Sequence, residues 1–303
     1  MADLRLPDGF TWRTADAGDV PTITDLIAAA ELTDDGVVEI DPDDVAGTFT
    51  RSSWVPDDCV LVFDGERPVA WAELDRERAE ADVRPEYRGR GLGTALLAWT
   101  EVRARETGRP SIRQTVTDAN TGAADLFRAN GYVTGHVSWI LQVSWTDGEP
   151  PAVDVPPGIT IRPYRDDDAQ AAYRVIEDAF NEWPDREPST FEEWARHGIA
   201  HGSFAAPLSR LAFDGDELVG TALAFDYANA DEGWIQQVAT KATHRHRGIA
   251  RALLHEVFVA FHEQGRQKCG LSTDSRTGAL GLYERVGMHV RRSYTSYRKD
   301  LTG

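Results

Sequence analysis

The sequence predicts two consecutive α+β domains, each a mixed, mostly antiparallel sheet with helices on both faces. Three observations carry this. At 303 residues the chain is long enough for two domains that each bury a core. Four blocks of sequence recur in the two halves, always in the same order. Within each half the order of patterns is strand, helices, hairpin strands, strand, basic turn, helix, strand, helix, strand, which is α+β and not a strict βα alternation.

The first block is a short strand leading through acidic capping residues into a helix. It reads Phe10-Thr11-Trp12-Arg13 to Asp19 in one half and Ile159-Thr160-Ile161-Arg162 to Asp168 in the other. The second block is a hairpin, Leu61-Val62-Phe63-Asp64-Gly65 and Leu211-Ala212-Phe213-Asp214-Gly215, since Asp-Gly between apolar runs is a strong turn signal. The third is a strand, a basic turn and a helix, with Val83 to Gly93 matching the stretch from Gln237 to Ala250. Its helix runs over about 94–107 and stops at Gly108 in the first copy; in the second it carries Leu253, Leu254, Val257, Phe258 and Phe261 on one face and stops at Gly265. The fourth block pairs Phe127-Arg128-Ala129-Asn130-Gly131-Tyr132 with Tyr283-Glu284-Arg285-Val286-Gly287-Met288. The offset between copies grows from about 150 to about 157 residues between the second and third blocks, so the second half holds about seven extra residues near 226–233, a surface loop. The domains are therefore 1–143 and 159–303, joined by a stiff acidic linker, 144–158, with Pro150, Pro151, Pro156 and Pro157.

The basic turn is the candidate binding site. A helix N-terminus leaves backbone N–H groups without partners and is the positive end of the helix dipole, so an anion is stabilised there. Small residues at Gly248 and Ala250, and at Gly89, Gly91 and Gly93, let a ligand approach the backbone. Both turns are basic, through Arg84, Arg88 and Arg90 and through Lys241, His244, Arg245, His246 and Arg247, in a chain whose formal charge is −18. Such clusters at one structural position suggest a small polyanion, and the acidic field around them favours a cationic co-substrate.

The acidic charge argues against general nucleic-acid binding and against an anionic membrane surface. With 41% hydrophobic residues and 9 Trp the chain is globular, and no apolar run is long enough to span a bilayer. The expectation is a soluble, cytoplasmic protein, a monomer or a homodimer. Cys59 and Cys269 fall in different halves with no paired spacing, which excludes a disulfide framework or a zinc knuckle. His197 and His201 stand four apart, but Gly198 lies between them and no zinc-protease glutamate follows; no metal site is expected. Gly89-Arg90-Gly91-Leu92-Gly93 lacks the dinucleotide Gly-x-Gly-x-x-Gly spacing.

Both turns fit Arg-x-x-Gly-x-Gly/Ala, as Arg88-x-x-Gly91-x-Gly93 and Arg245-x-x-Gly248-x-Ala250. This resembles the acyl-CoA pyrophosphate loop of the GNAT (GCN5-related N-acetyltransferase) superfamily. The resemblance covers essentially the whole chain, twice, as in the tandem two-domain GNAT proteins that include mycothiol synthase. It implies acetyl-CoA, or another acyl-CoA, as co-substrate and no metal. The pyrophosphate would lie on Arg245, His246, Arg247, Gly248, Ile249 and Ala250, and in the first half on Arg88, Gly89, Arg90, Gly91, Leu92 and Gly93. The pantetheine arm would pair with the strand edges at Val238, Ala239 and Thr240 and at Val83. Tyr283 takes the place of the tyrosine that serves the departing thiolate, whereas the first half has Phe127. Glu232 and Glu182 are the candidates for general base, beside a water chain. The first half keeps Asn120 before its small-residue helix start and the fuller set of loop glycines; the second half has no asparagine in Ser272 to Gly278.

The resulting expectation is an N-acetyltransferase whose second half moves acetyl from acetyl-CoA to a primary amine of a small, cationic molecule, by direct attack in a ternary complex. The first half would be degenerate, with a cofactor-type loop. The competing readings are a non-catalytic acyl-CoA-binding or sensing protein, a mycothiol synthase-type enzyme, and a protein-amine acetyltransferase.

Overall fold

Strands β1 (Phe10–Thr14), β2 (Cys59–Asp64), β3 (Arg67–Asp75) and β4 (Arg78–Val83) follow one another antiparallel, and β5 (Ser111–Thr117) then adds parallel to β4. The computed structural model describes residues 3–51, 53–145, 148–150, 152–183, 186–227 and 232–302. Its contacts define two compact units, residues 1–137 with 292–303, and residues 138–291.

In the first unit, α1 (Val20–Asp34) and α3 (Leu92–Glu106) cover opposite faces of the sheet. The period of two along a strand decides which residue meets which helix. Leu61 and Trp71 join Ile23 and Leu26 of α1, while Val60, Val62, Ala70 and Ala72 join Leu92, Leu96 and Trp99 of α3. Helices α2 (Pro42–Thr50) and α4 (Thr121–Ala129) complete it. Asp64 pairs with Arg67 across the turn that the Asp-Gly signal predicts.

The second unit repeats this plan with β7 (Ile159–Pro163), β8 (Arg210–Asp214), β9 (Glu217–Asp226), β10 (Gly233–Thr240) and β11 (Lys268–Asp274). Helices α5 (Ala169–Phe180) and α6 (Phe191–His197) lie on one face, with Val175, Ile176 and Trp194 against Leu211, Leu218 and Leu223. Helix α7 (Ile249–Glu263) lies on the other, against Ala212, Val219, Ala222 and Ala224. Helix α8 (Leu280–Arg285) follows β11.

The last strand of each repeat changes unit. Strand β6 (Val133–Ser144), which ends the first repeat, pairs antiparallel with β11; β12 (His289–Asp300), which ends the second, pairs antiparallel with β5. The contiguous ranges 1–143 and 159–303 describe the repeat in sequence, and the compact units differ from them by this exchange. Within the linker, Trp145 is buried against Phe258, and its indole N–H donates to the Arg266 carbonyl at 2.6 Å. Thr146, Asp147 and Pro151 lie outside the described residues, as do residues 228–231 of the extra loop.

Candidate active site

In the second unit two neighbouring parallel strands part company. Strands β10 and β11 pair only from Gly233 to Ile235 and from Cys269 to Leu271. Just beyond, Gln236 is an extra residue in β10 relative to β9, a β-bulge that bends the strand. Indole N–H groups hold the bulged stretch, Trp234 to Gln236 and Trp194 to Gln237, each at 2.9 Å. From Gln236 to Thr240 the edge of β10 that faces β11 is unpaired, and a cavity of about 1130 Å³ opens between the strands. Val238, Ala239 and Thr240 line it, as do Ser272, Thr273 and Asp274 of β11. Ser138, on the strand that the first repeat contributes, lines it too.

One end of the cavity is the N-terminus of α7. Gly248 precedes the helix at φ 86°, a left-handed conformation that L side chains rarely adopt, and the first-turn residues Ile249, Ala250 and Arg251, whose amides have no partner within the helix, line the cavity. His246 is also left-handed, φ 61°, where the first repeat has Gly89 at φ 76°. Both loops thus turn through a left-handed residue two positions before the glycine that precedes the helix.

The basic side chains of the turn are engaged within the protein. Lys241 reaches Glu217 at 2.7 Å; Arg247 reaches Asp214 at 3.0 Å, with His244 3.4 Å from the same carboxylate. Arg245 forks onto Glu182 at 2.6 and 3.0 Å and gives its Nε–H to the Thr240 carbonyl at 3.2 Å. Each of these side chains already faces a carboxylate, so the turn offers an anion its amides more than its side-chain charge. Two arginines absent from the expected set stand on the cavity wall. Arg251, in the first turn of α7, and Arg285, at the end of α8, both line the cavity and have no carboxylate partner among the described residues. The repeat held a signal for them: the equivalent positions of the first half are Thr94 and Ala129.

Tyr283 stands in the cavity wall on α8, buried, with its ordinary pKa of 10 pushed up to about 12 by burial, against the effect of a hydrogen bond with Thr273. It therefore stays protonated across the neutral range. Glu182 also lines the cavity, but the hydrogen bonds from Arg245 hold its carboxyl below the usual range, the wrong direction for a general base. Glu232 is not in the cavity wall at all; it precedes β10, at the paired end of the strands, and meets Arg291 at 3.0 Å. Asp274 is held by Arg276 at 2.9 to 3.1 Å.

The first unit has the same parting of strands, since β4 and β5 pair only at Arg78 and Ala79 with Arg113 and Gln114. Here helix α1 runs on to Asp34, further than α5 does in the repeat, and its end bridges the gap. Arg88 forks onto Asp34, Asn120 donates to the same carboxylate at 3.0 Å, and Thr117 donates to Asp35 at 2.8 Å. Arg84 is paired with Asp25, and Arg90 lies over the Tyr87 ring. Val83 pairs with Ala70, and Gly89, Gly91, Leu92 and Gly93 form the turn and helix start. Phe127 is a core aromatic between Tyr132 and Tyr297.

Among the described residues no group of three His, Cys, Asp or Glu side chains is placed to hold a metal ion, and no helix is long and apolar enough to cross a membrane. His201 accepts from the Ser203 amide and stacks on Phe225.

A helix N-terminus, an unpaired strand edge and a buried tyrosine thus surround one cavity, an arrangement suited to an anionic ligand with a strand-like arm. The comparisons agree. A model of the Acetyltransferase (GNAT) family matches residues 27–132 and 169–288. Proteins named mycothiol acetyltransferase are similar: that of Catenulispora acidiphila is 26% identical over 309 residues, covering 94% of this chain and 97% of its own length. That of Thermobispora bispora is 27% identical, over 75% of this chain and 79% of the relative. The crystal structure of a GCN5-related N-acetyltransferase from Sphaerobacter thermophilus superposes with a TM-score of 0.82 at 33% identity, covering 98% of this chain and 97% of that one. A tandem GNAT protein from the clavulanic acid biosynthesis pathway shares the fold, with a TM-score of 0.72 at 18% identity over 97% of this chain and 99% of that one. The chain belongs to the GNAT family, as two GNAT regions in tandem, and is an acyl-CoA-dependent N-acetyltransferase.

Proposed function

We propose that the second unit alone transfers an acetyl group from acetyl-CoA to a primary amine of a small molecule, by direct attack in a ternary complex. The observation that carries this is the asymmetry of the two clefts. One is open, with Tyr283, Arg251 and Arg285 on its wall; the other is bridged by Asp34 and Asp35 and has Phe127 in the tyrosine's place.

The residues fit acyl-CoA. The amides of Gly248, Ile249 and Ala250 hold the pyrophosphate, with Arg251 and Arg285 supplying charge from two sides. The open edge from Gln236 to Thr240 pairs with the amides of the pantetheine arm as an added strand. The amine nitrogen attacks the thioester carbon, the carbon–sulfur bond breaks, and the Tyr283 hydroxyl gives its proton to the thiolate. The proton shed by the amine returns to the tyrosinate through water. The carboxylates on the wall among the described residues, Glu182 and Asp274, are each held by an arginine. The first repeat has a structural part, since its last strand, β6, pairs with β11 in the sheet of the second unit.

The small, cationic character of the acceptor rests on the −18 charge of the chain. A mycothiol-type acceptor is the second reading, favoured by the relatives that carry that name. The test is to follow free thiol release from acetyl-CoA against a panel of amino sugars, polyamines and peptide amines. Turnover by wild type that Tyr283→Phe suppresses without loss of acetyl-CoA binding supports the reading. Turnover that is indifferent to Tyr283 sinks it.

A further inference from the structure

We propose that Arg245 and Glu182 form a clamp that positions the aromatic, acceptor-side wall of the cavity, and that Arg245 is not a ligand of the cofactor's phosphates. The inference rests on the reading that this cavity takes acyl-CoA.

The geometry of Arg245 is that of a bridge between two segments. Its Nε–H goes to the carbonyl of Thr240, the last residue of β10, and its fork goes to both oxygens of Glu182, just beyond the end of α5. A planar fork satisfied in this way fixes one orientation of its partner, which a point charge cannot do. The other repeat contains the same device. Arg88 gives its Nε–H to Val83, the last residue of β4, and its fork to Asp34, the last residue of α1. That turn lies beside a bridged cleft whose helix carries Phe127. The arrangement therefore accompanies the fold of the turn whether or not a reactive cleft lies next to it.

What Glu182 fixes is the cavity wall. Its neighbours Phe180 and Trp183 stack with centroids 4.3 Å apart, and all three residues line the cavity. Arg186 secures the same segment from its other side, through Glu177 at 2.7 Å and Asn181. In the first unit the clamp extends across the cleft, because Asn120 also reaches Asp34. In the second unit Trp183 stands where Asp34 would be and Arg276 where Asn120 would be, and Arg276 is drawn onto Asp274 instead. The wall is thus tied to β10, no such bridge to β11 stands among the described residues, and that gap is left for the amine.

The experiment compares full-length wild type with Glu182→Gln, Arg245→Lys and the double variant. It reads backbone hydrogen exchange over residues 178–183, calorimetric titration with acetyl-CoA, and turnover of D-glucosamine and spermidine as probe amines. The clamp predicts local exchange about tenfold faster in either single variant and no faster in the double, because the two residues act as one unit. Acetyl-CoA affinity stays within about threefold of wild type, while the KM of whichever probe amine is turned over rises and that of acetyl-CoA does not. Unchanged exchange in both single variants overturns the proposal. So does an Arg245→Lys variant that binds acetyl-CoA about tenfold more weakly while Glu182→Gln binds it more tightly, since Arg245 would then be a phosphate ligand and Glu182 its resting counter-ion. A wild type that takes up no acetyl-CoA would remove the functional reading, and the exchange data would still decide the clamp.

Discussion

Arg88 and Asp34 form a two-point ion pair, at 2.5 and 2.9 Å, across the mouth of the first unit's cleft. Asp34 is 10% exposed on its side chain, and Asn120 occupies one of its oxygens as well. The loop with the fuller set of glycines is therefore the one whose arginine is locked onto a half-buried carboxylate that also bonds the far side of the cleft.

The first prediction is a stoichiometry. Calorimetric titration with acetyl-CoA gives one site per chain. Arg88→Ala leaves that affinity unchanged, and Arg251→Ala weakens it by about tenfold, the loss of one charge-assisted contact. Two sites, or a site lost with Arg88→Ala, would move the cofactor into the first unit.

The second concerns Tyr283. Removing its hydroxyl in Tyr283→Phe lowers kcat by about a hundredfold with acetyl-CoA affinity kept, since the group acts on the leaving thiolate and not on the bound ground state. Burial raises the tyrosine to about 12, so its proton-donating form persists well above neutral pH. The rate should then rise with pH as the amine loses its proton and show no falling limb below about pH 10. A falling limb near neutrality that vanishes in Tyr283→Phe would show a hydroxyl not held in this way. The same shift bears on stability. The folded state keeps a proton that the unfolded state begins to release near pH 10, so stability falls as pH rises from there towards 12.

Much of this was legible before any coordinates. The repeat, the hairpins, the glycine before each helix and the Tyr283/Phe127 contrast are local features, set by turn chemistry and periodicity. Long-range pairing was not legible. Nothing in the string around Arg245 or Arg247 shows that Glu182 and Asp214 return to meet them, so a basic run read as a ligand site became a set of internal ion pairs. The string around Glu182 and Glu232 is equally silent on the arginines distant in sequence that each of them meets. Arg251 and Arg285 could have been found by asking where the halves differ in charge, at Thr94 and Ala129.

A third prediction isolates backbone strain. His246 adopts φ 61°, a region that costs a residue with a Cβ about 1 kcal/mol or more, where the other repeat uses Gly89. His246→Gly relieves that strain but gains freedom in the unfolded chain, so the net stabilisation should be small, up to about 1 kcal/mol by urea denaturation. A loss of stability would show that the imidazole makes a contact worth more than the strain.

The fourth follows from the exchanged strands. Strand β12 gives the first unit Tyr297, which is 2% exposed and packs on Phe127, and β6 gives the second unit Leu141, fully buried, and Val143. Each such side chain contributes about 1.5–3 kcal/mol by burial, against a net stability of about 5–15 kcal/mol for a domain. A fragment of residues 1–158 lacks the strand that covers β5, and one of residues 159–303 lacks the strand that covers β11. Each would also present an open sheet edge, which invites aggregation. Expressed alone, neither fragment should give a soluble, cooperatively unfolding monomer; expressed together they should assemble, and acetyl-CoA binding should return with assembly. A stable monomer from either fragment would mean that the repeat closes its own sheet, and that Ser138 is dispensable to the cavity it lines.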